Sequence, residues 1–275
     1  MNIDLHCHST ASDGLLEPAD LVARAAARGV EVLALTDHDD TAGLAAARAA
    51  ADTRGIRFVD GVEISVSWRG TTLHVVGLQI DPRHPTLQQG LQTVRSSRVE
   101  RAARIAAALE EAGIRGSLAG AMAYVHNPSI ISRTHFARFL VETGRAPDVK
   151  GVFRHYLAKG KPGYVAHQWT SLADAVSWIR ASGGTAVIAH PGRYKLERAE
   201  MEALFLEFQG HGGAGIEVVT GSHTPAQYRE FARLARKFGL LASRGSDFHG
   251  DSGSRADFGV LPPLPQDLRP VWHDW

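Results

Sequence analysis

The chain has 275 residues, of which 44% are hydrophobic and 21% are charged, and its formal net charge at pH 7 is +1. This composition predicts a folded protein with a large core, and it excludes binding to nucleic acid or membrane through overall charge. One cysteine excludes an internal disulfide, so a reducing, cytoplasmic location is expected. No signal peptide, membrane span or protein partner is indicated. The unusual count is 14 histidines, because histidine is the commonest metal ligand.

Short apolar stretches alternate with helical patterns along most of the chain. "IDLH" precedes "EPADLVARAAARG", "VLALTDHD" precedes "TAGLAAARAAADTRG", and "RFVDGVEIS" and "TLHVVGLQI" read as a hairpin-like pair around "WRG". The helix "SLADAVSWIRASGG" precedes "TAVIAHPG", "AGIEVVTG" precedes "PAQYREFARLARKFG", and "LLASRGSDFHG" is the last strand. About seven strands separated mostly by helices predict an α/β fold with a buried, largely parallel sheet. A closed or nearly closed barrel is favoured, since no glycine-rich dinucleotide fingerprint follows the first strand.

The alternation is interrupted between about residues 81 and 170. Here "SIISRTHFARFLVETG" and "VKGVFRHYLAKG" have helical patterns, and "SSRVERAARIAAALEEAG" predicts an amphipathic helix with an apolar face of Val99, Ala102, Ile105, Ala106 and Leu109. We predict that residues 1–98 and 168–275 form the barrel and that residues 99–167 form a small helical insertion that determines substrate specificity. The tail "PPLPQDLRPVWHDW" is expected to pack across the barrel.

Side chains able to bind metal lie near the predicted strand ends, with Glu63 expected at the end of the third strand. Barrel enzymes place their chemistry at this edge, so the dispersed residues should meet. Alternation along the first strand turns His6 and His8 to one side and Cys7 away, as a buried, inert thiol. One histidine alone would usually be a hydrogen-bonding residue, but so many buried polar groups need metal ions to satisfy them. Imidazole and carboxylate ligands together suit Zn, Mn or Fe better than Ca or Mg. The candidate ligands are His6, His8, Asp13, His38, Glu63, His74, His190, Asp247 and His249.

The motifs "DLHCHSTASDG", "TDHD", "GVEIS", "LHVVG", "IAHPG" and "GSDFH" occur in an order that resembles the PHP family, named for polymerase and histidinol phosphatase. The resemblance implies a distorted seven-stranded β/α barrel of the PHP type with two or three divalent metal ions, of which Mn is favoured and Zn or Fe are alternatives. Asp37 would not bind an ion itself but would orient His38 or another ligand. By motif, one ion would be held by His6, His8, Glu63 and Asp247, a second by Asp13, His38 and His249, and a third by Glu63, His74 and His190.

A cluster of divalent ions suits hydrolysis of a phosphate ester by in-line attack of an activated water. The leaving oxygen then needs a proton, and the sequence leaves Asp13, His223 and His249 as alternative donors. A hydrolase of the amidohydrolase type, acting on a carboxylic ester or amide, is the related alternative.

Further polar residues are candidates for binding substrate phosphate, because arginine binds phosphate through paired hydrogen bonds and lysine as a point charge. They are Arg133, His135, Lys161, Arg193 and Ser222.

The patterns "SRTHFARFL", "KGKPGYV" and "TGSHTP" resemble a PHP subgroup of 3',5'-nucleotide bisphosphate phosphatases and 5'-to-3' exonucleases acting on short RNA. The resemblance implies a small nucleotide or a short 5'-phosphorylated oligonucleotide as the substrate. Arg133 and His135 would grip its 5'-phosphate while the neighbouring 3' ester is hydrolysed. Two alternatives are a histidinol phosphatase or another small-molecule phosphatase of the family, and a non-catalytic module that binds metal or nucleotide.

Overall fold

The computed structural model describes residues 1–251 and 254–275. Seven strands form one sheet in chain order: β1 (Ile3–Asp4), β2 (Val32–Leu35), β3 (Arg57–Trp68), β4 (Thr71–Leu78), β5 (Thr185–Ile188), β6 (Gly215–Thr220) and β7 (Leu241–Gly245). The sheet curves until its edges meet, because the amide of Leu5 donates to Arg244 O at 3.0 Å and that of Asp247 donates to His6 O at 2.8 Å. This nearly closed barrel confirms the predicted fold class.

One strand distorts the barrel. All neighbouring strands are parallel except β4, which runs antiparallel to both β3 and β5. The hairpin expected around "WRG" forms, with Arg69 and Gly70 in its turn at positive φ. The expectation that Glu63 ends the third strand was wrong, since β3 continues to Trp68. Continued pairing with β4 carries β3 beyond the other strands and leaves Glu63 near its middle.

Nine α-helices are found in the described residues: α1 (Pro18–Ala27), α2 (Leu44–Asp52), α3 (Pro85–Glu111), α4 (Ser117–Met122), α5 (Arg133–Glu142), α6 (Val149–Val152), α7 (Leu172–Ala181), α8 (Arg198–Gly210) and α9 (Pro225–Phe238). Helix starts follow local chemistry: Pro18 occupies the first turn of α1, and Ser171 caps α7 by accepting from the amide of Asp174. The sequence patterns do not predict α8 or the first half of α3. None of the described helices has the length and apolarity to cross a bilayer.

The sheet and the helices pack around three apolar cores. One lies between the sheet and the outer helices. A second fills the barrel, where Ile3 and Leu5 meet Val271 of the C-terminal tail, so the tail packs across the barrel as expected. The third is formed by the helices between the barrel strands β4 and β5, and its buried residues include Ala102, Ile105, Leu109, Phe136, Leu140 and Leu157.

The third core supports the predicted insertion, with one correction. Val99 does not belong to the buried face of α3, because 48% of it is exposed, whereas Ala102, Ile105 and Leu109 are buried as predicted. The helix is continuous through the proposed boundary between residues 98 and 99, and Arg98 is itself buried. The division into a barrel and an insertion therefore stays a prediction, in which the two parts would share one helix.

Candidate active site

All nine candidate ligands lie together at one end of the barrel. His6 and His8 follow β1, His38 follows β2, Glu63 and His74 face each other from the β3–β4 hairpin, and the remaining ligands follow β1, β5 and β7. Within the cluster, the Nε2 atoms of His6 and His8 are 3.1 Å apart, and each lies 3.3–3.5 Å from an oxygen of Glu63 and of Asp247. Tetrahedral bonds of about 2.0–2.2 Å to one ion place its ligand atoms roughly 3.3–3.6 Å apart. Most of these distances are close to that spacing, and His6, His8 and Glu63 form one of the groups that could hold an ion.

Buried atoms without hydrogen-bond partners are a second sign that the residues fit metal ions. In the described part of the chain, Asp13 Oδ1 and Glu63 Oε2 are buried and accept no hydrogen bond. His38 Nδ1 approaches Glu63 Oε2 to 2.8 Å, yet the geometry is not that of a hydrogen bond. Carboxylate oxygens and imidazole nitrogens that meet in this way satisfy one another poorly and would bind a shared cation well.

The ligand atoms fall into overlapping groups that only partly follow the sets implied by the family resemblance. His190 groups with His6 and Asp247, while His74 groups with His38 and Glu63. The remaining groups are His6, His8 and Glu63, and His8, Asp13, His38 and His249. Each of the nine residues belongs to at least one group, and His6, His8, His38 and Glu63 each belong to two. The double membership of Glu63 is consistent with its place in two of the sets that the resemblance implies.

Electrostatics keep the central carboxylate charged. Burial alone would raise the pKa of Glu63, but the imidazoles of His74, His38 and His6 outweigh it and hold that pKa well below its usual range. His74 Nδ1 and His190 Nε2 lie 2.9 and 3.0 Å from Glu63 Oε1. An ionised carboxylate is the form that coordinates metal.

A carboxylate behind the cluster orients one ligand. His6 Nδ1 donates to Glu217 Oε1 at 2.7 Å, which leaves the Nε2 lone pair directed at Glu63 and Asp247. The backbone amide of His190 donates to Glu217 Oε2 at 2.6 Å. Sequence reasoning missed Glu217, although a lone acidic residue inside the apolar stretch "AGIEVVTG" is a signal of such a role. Because metal-binding imidazoles usually donate their second N–H to a carboxylate or carbonyl, Glu217 completes a familiar arrangement.

Asp37 and Cys7, which lie next to candidate ligands in the sequence, form hydrogen bonds that hold the surrounding loops in place. The Asp37 carboxylate does not bind the His38 ring; in the described residues it accepts from the Ser9 amide and from the hydroxyls of Ser9 and Ser12. It thereby fixes the loop that carries Asp13, and Ser12 Oγ lies 3.5 Å from His8 Nδ1. The thiol of Cys7 points away from the cluster and donates to the Ala34 carbonyl at 3.1 Å, and burial raises its pKa well above the usual value.

A cavity of about 530 Å³ opens over the ligands. Of the residues predicted to bind substrate or to transfer a proton, Asp13, Arg133, Arg193, Ser222 and His249 line it. The other three do not belong to its lining. Lys161 is exposed elsewhere, and His135 is buried at the start of α5, where its Nδ1 accepts from the amide of Ser132.

His223 also lies outside the cavity lining. Its Nε2 accepts from the amide of Gly192 at 2.9 Å, and its Nδ1 donates to the carbonyl of Val218 at 3.2 Å. Burial lowers the pKa of His223 to about 4, so the ring is neutral at pH 7. Because both nitrogens bind backbone atoms, this side chain connects the loops after β5 and β6. Neither nitrogen is available to give a proton to a leaving group.

Three arginines form one side of the cavity, and we call Arg98, Arg101 and Arg133 the arginine wall. Arg98 donates to Asp39 Oδ2 at 2.7 Å and packs on Trp169. Arg101 also lies over the Trp169 ring, and its Nε is buried without a partner in the described residues. Burial and the positive charges of Arg133 and Arg98 lower the pKa of Arg101 to about 9.

Sequence reasoning missed two members of this wall. Arg98 and Arg101 are three residues apart on α3, a spacing that places them on one helix face and was available in "SSRVERAAR". Within the described residues, Arg101 and Arg133 have no carboxylate partner. The wall therefore presents excess positive charge to whatever enters the cavity.

Comparison with known proteins gives matches along nearly the whole chain. A PHP domain profile matches residues 4–221. The 3',5'-nucleoside bisphosphate phosphatase of Chromobacterium violaceum is 55% identical over 273 residues, which cover 99% of this chain and 96% of that protein. The 5'-3' exoribonuclease Rnm of Escherichia coli is 43% identical over 274 residues, which cover 99% of this chain and 93% of that protein.

Solved structures agree with this result. A Chromobacterium violaceum structure described as an amidohydrolase, with bound sulfate and no metal, has a TM-score of 0.95 at 55% identity and covers 99% of this chain and 95% of its own. A Bifidobacterium adolescentis protein proposed to be a metal-dependent phosphoesterase has a TM-score of 0.82 at 26% identity, with coverage of 98% and 93%. The matched regions include the helices between β4 and β5 as well as the barrel.

Proposed function

The chain belongs to the PHP domain family, and from this premise we propose that it is a metal-dependent phosphoesterase acting on nucleotides. Its substrates would be nucleoside 3',5'-bisphosphates, from which it removes the 3'-phosphate, and short 5'-phosphorylated RNA, which it shortens from the 5' end. The relatives from Chromobacterium violaceum and Escherichia coli, which are named for these two activities, support both. Both are one reaction, since the bond between phosphorus and the 3'-oxygen breaks in each case.

The nine ligand residues would hold two or three divalent ions. We propose Mn, with Zn or Fe as alternatives, because the ligands mix imidazole and carboxylate. Bound ions would activate a water and neutralise the charge of the phosphoryl group during in-line attack. The buried, free thiol of Cys7 suits the reducing cytoplasm that we propose as the location.

The arginine wall is the observation that carries the substrate assignment. A bisphosphate has a second, non-reacting phosphate, and two guanidinium groups without carboxylate partners face the same cavity as the ligand cluster. We assign the 5'-phosphate to Arg133 and Arg101. His135 would act indirectly, since it caps the helix that begins with Arg133. A charged pair of this kind binds a dianion through short, strong hydrogen bonds.

Of the three candidate donors for the proton that the departing 3'-oxygen needs, we keep Asp13 and His249; because both are also proposed metal ligands, each would donate only in a state in which it does not hold an ion. Both line the cavity, and His249 Nε2 lies 3.3 Å from Asp13 Oδ1. His249 Nδ1 is held by the carbonyl of Asp247 at 2.9 Å, which fixes the orientation of the ring. His223 has no comparable access, because both of its nitrogens bind backbone.

The test compares a bisphosphate with a simple aryl phosphate. Arg133→Ala should raise KM for adenosine 3',5'-bisphosphate about 10–100-fold, because a hydrogen bond to a charged group is lost. KM for 4-nitrophenyl phosphate, which lacks a second phosphate, should change little. Arg104→Ala is the matched control, since Arg104 is exposed on α3 outside the cavity. Equal losses on the two substrates would refute the assignment of the wall, and no hydrolysis of either with added Mn, Zn or Fe would refute the proposed function.

A further inference from the structure

We propose that the side of the cavity opposite the arginine wall binds the RNA chain that follows the scissile phosphate. We call Arg193, Ser222 and Arg255 the barrel-side rim; they stand on the loops after β5, β6 and β7 and line the cavity. The inference rests on the proposed function and extends it, because it makes an oligonucleotide, in addition to a mononucleotide, a substrate for which the site has dedicated residues.

The rim lies across the mouth of the barrel from the wall. Arg98 of the wall donates to Ser65 Oγ at 2.8 Å, so the wall stands beside β3. The rim stands beside β5–β7, and the sheet order from β1 to β7 with closure between the two ends puts β3 and β6 on opposite sides. The metal ligands lie between them. A bisphosphate that reaches from the wall to the ligands has no phosphate beyond the scissile one, whereas an oligonucleotide continues past it with further phosphates that the rim could bind.

The three loops of the rim are locked together. The loop after β5 is held by His223, which accepts from the amide of Gly192, and by Gln227, which donates to the Gly192 carbonyl at 3.0 Å. A β-carbon on Gly192 would overlap both side chains. A β-carbon on Gly221 would overlap the carbonyl of Ser246, so the loop after β6 packs directly on the segment that leads to Asp247. Arg193 and Ser222, which stand on the loops after β5 and β6, are therefore positioned before substrate arrives.

The rim also has unused binding capacity. Arg255 is exposed, and the described residues offer it no carboxylate partner; its only side-chain hydrogen bond there is a long one of 3.4 Å to the Ser222 carbonyl. Ser222 Oγ is buried and has no partner in the same part of the chain. Arg193 pairs with Asp247 at 2.9 Å and keeps 49% of its side chain exposed. The exposed guanidinium of Arg255 matches the phosphate oxygens of a nucleic acid backbone, and the unpartnered hydroxyl of Ser222 lies in the lining of the same cavity.

The reaction on RNA is balanced without further reactants. Water attacks phosphorus, the bond from phosphorus to the 3'-oxygen breaks, and the proton released from water ends on that oxygen. The phosphoryl group keeps the downstream nucleoside through its 5'-oxygen. The products are a 5'-mononucleotide with a 3'-hydroxyl and a shorter chain that again carries a 5'-phosphate. That chain is itself a substrate, and the rim is where it would be held during the step.

The experiment measures kcat/KM of the metal-loaded protein for adenosine 3',5'-bisphosphate and for a 5'-phosphorylated triadenylate. Arg255→Gln should lower kcat/KM for the trinucleotide about tenfold and for the bisphosphate less than twofold. The slope of log kcat/KM for the trinucleotide against log salt should flatten by about 0.7, the value for one lost contact to a single strand. Arg229→Gln removes an exposed arginine of α9 outside the cavity and should change neither substrate.

Ser222→Ala is the second variant, and it too should lower kcat/KM more for the trinucleotide than for the bisphosphate. Equal effects of these substitutions on the two substrates, or no effect on the trinucleotide, would refute the proposal that the rim binds RNA. Hydrolysis of the bisphosphate alone by the unmodified protein would also overturn it while leaving the phosphatase proposal standing. Failure to hydrolyse either substrate would instead refute the proposed function, so the two failures are distinguishable.

Discussion

Glu217 is the residue on which the arrangement of the ligands most depends without being a ligand itself. Its two oxygens accept from the ring of His6 and from the backbone of His190, which are ligands on different strands. It is 1% exposed, so neither hydrogen bond competes with water. His190 has φ of 27°, an uncommon backbone conformation for a residue with a side chain. The hydrogen bond from its amide helps to hold this conformation.

Glu217→Gln should therefore weaken metal binding. The amide keeps the size of the side chain but removes the negative charge that makes the His6 imidazole a more basic metal ligand. Losses of this kind lower metal affinity about 10–100-fold. The measurement is the dissociation constant for Mn and Zn by competition with a chelating dye, together with the metal content after dialysis. Glu230→Gln, an exposed site on α9, is the control. Unchanged affinity in Glu217→Gln would show that Glu217 is only a packing residue.

The sequence allowed the candidate metal ligands to be predicted, but not the residues that position them. His6, His38 and Asp247 occur in short motifs at strand ends, where a barrel brings them together. Glu217 and Arg101 contact the site from a strand interior and from a distant helix, and such contacts depend on three-dimensional packing. His223 shows the opposite problem, because a histidine at a strand end resembles a proton donor until its hydrogen bonds are seen.

At the scale of elements, α3 joins the barrel to the inserted helices. Its first half packs into the core between the sheet and the outer helices through Leu87 and Leu91, and its second half packs into the third core. Between them Arg98 pairs with Asp39, which follows the ligand His38. Sequence patterns located only the second half, because Gly90 and polar neighbours weaken the helical pattern. The structure shows why glycine occurs there: a β-carbon on Gly90 would overlap the ring of Trp178.

His223 couples the loops after β5 and β6, and its pKa makes that coupling sensitive to pH. The unfolded pKa is near 6.5 and burial lowers the folded value to about 4, so the unfolded chain alone binds the proton between these values. The free energy of unfolding should therefore fall as pH falls from 6.5 toward 4, with about 3 kcal/mol lost through this residue.

Urea unfolding of chelator-treated protein at pH 7 and pH 4.5 checks this expectation. His223→Gln should be less stable at pH 7, because one backbone contact is lost, but its stability should fall by about 2 kcal/mol less between the two pH values. The metal-binding histidines titrate in both proteins, so their contribution cancels. His126→Gln is the control, since that side chain is 63% exposed. A parallel fall in all three proteins would contradict the low pKa.

At the scale of the whole molecule, the ligand cluster connects the start of the chain to its end. His6 precedes Asp247 by most of the sequence, yet their ligand atoms are 3.5 Å apart. The ligands stand on or after every strand except β6, and Glu217 of β6 supports them from behind. An ion held here would link the strand ends at the barrel mouth in addition to the hydrogen bonds between the segments that follow β1 and β7, and it would bind imidazoles and carboxylates that otherwise satisfy one another poorly.

Ion removal should therefore destabilise the entire fold and not only end activity. A ligand at 100 times its dissociation constant that binds the folded state alone stabilises it by about 2.7 kcal/mol, and each kcal/mol corresponds to about 2–4 °C in a chain of this size. Chelation should lower Tm by about 5–10 °C, and Mn or Zn should restore it, whereas Ca at the same concentration should restore less because it prefers oxygen ligands. Thermal unfolding followed by circular dichroism gives the values. If Tm were the same with chelator and with each ion, the nine side chains would not be a metal site, and the phosphoesterase built on them would have to be abandoned.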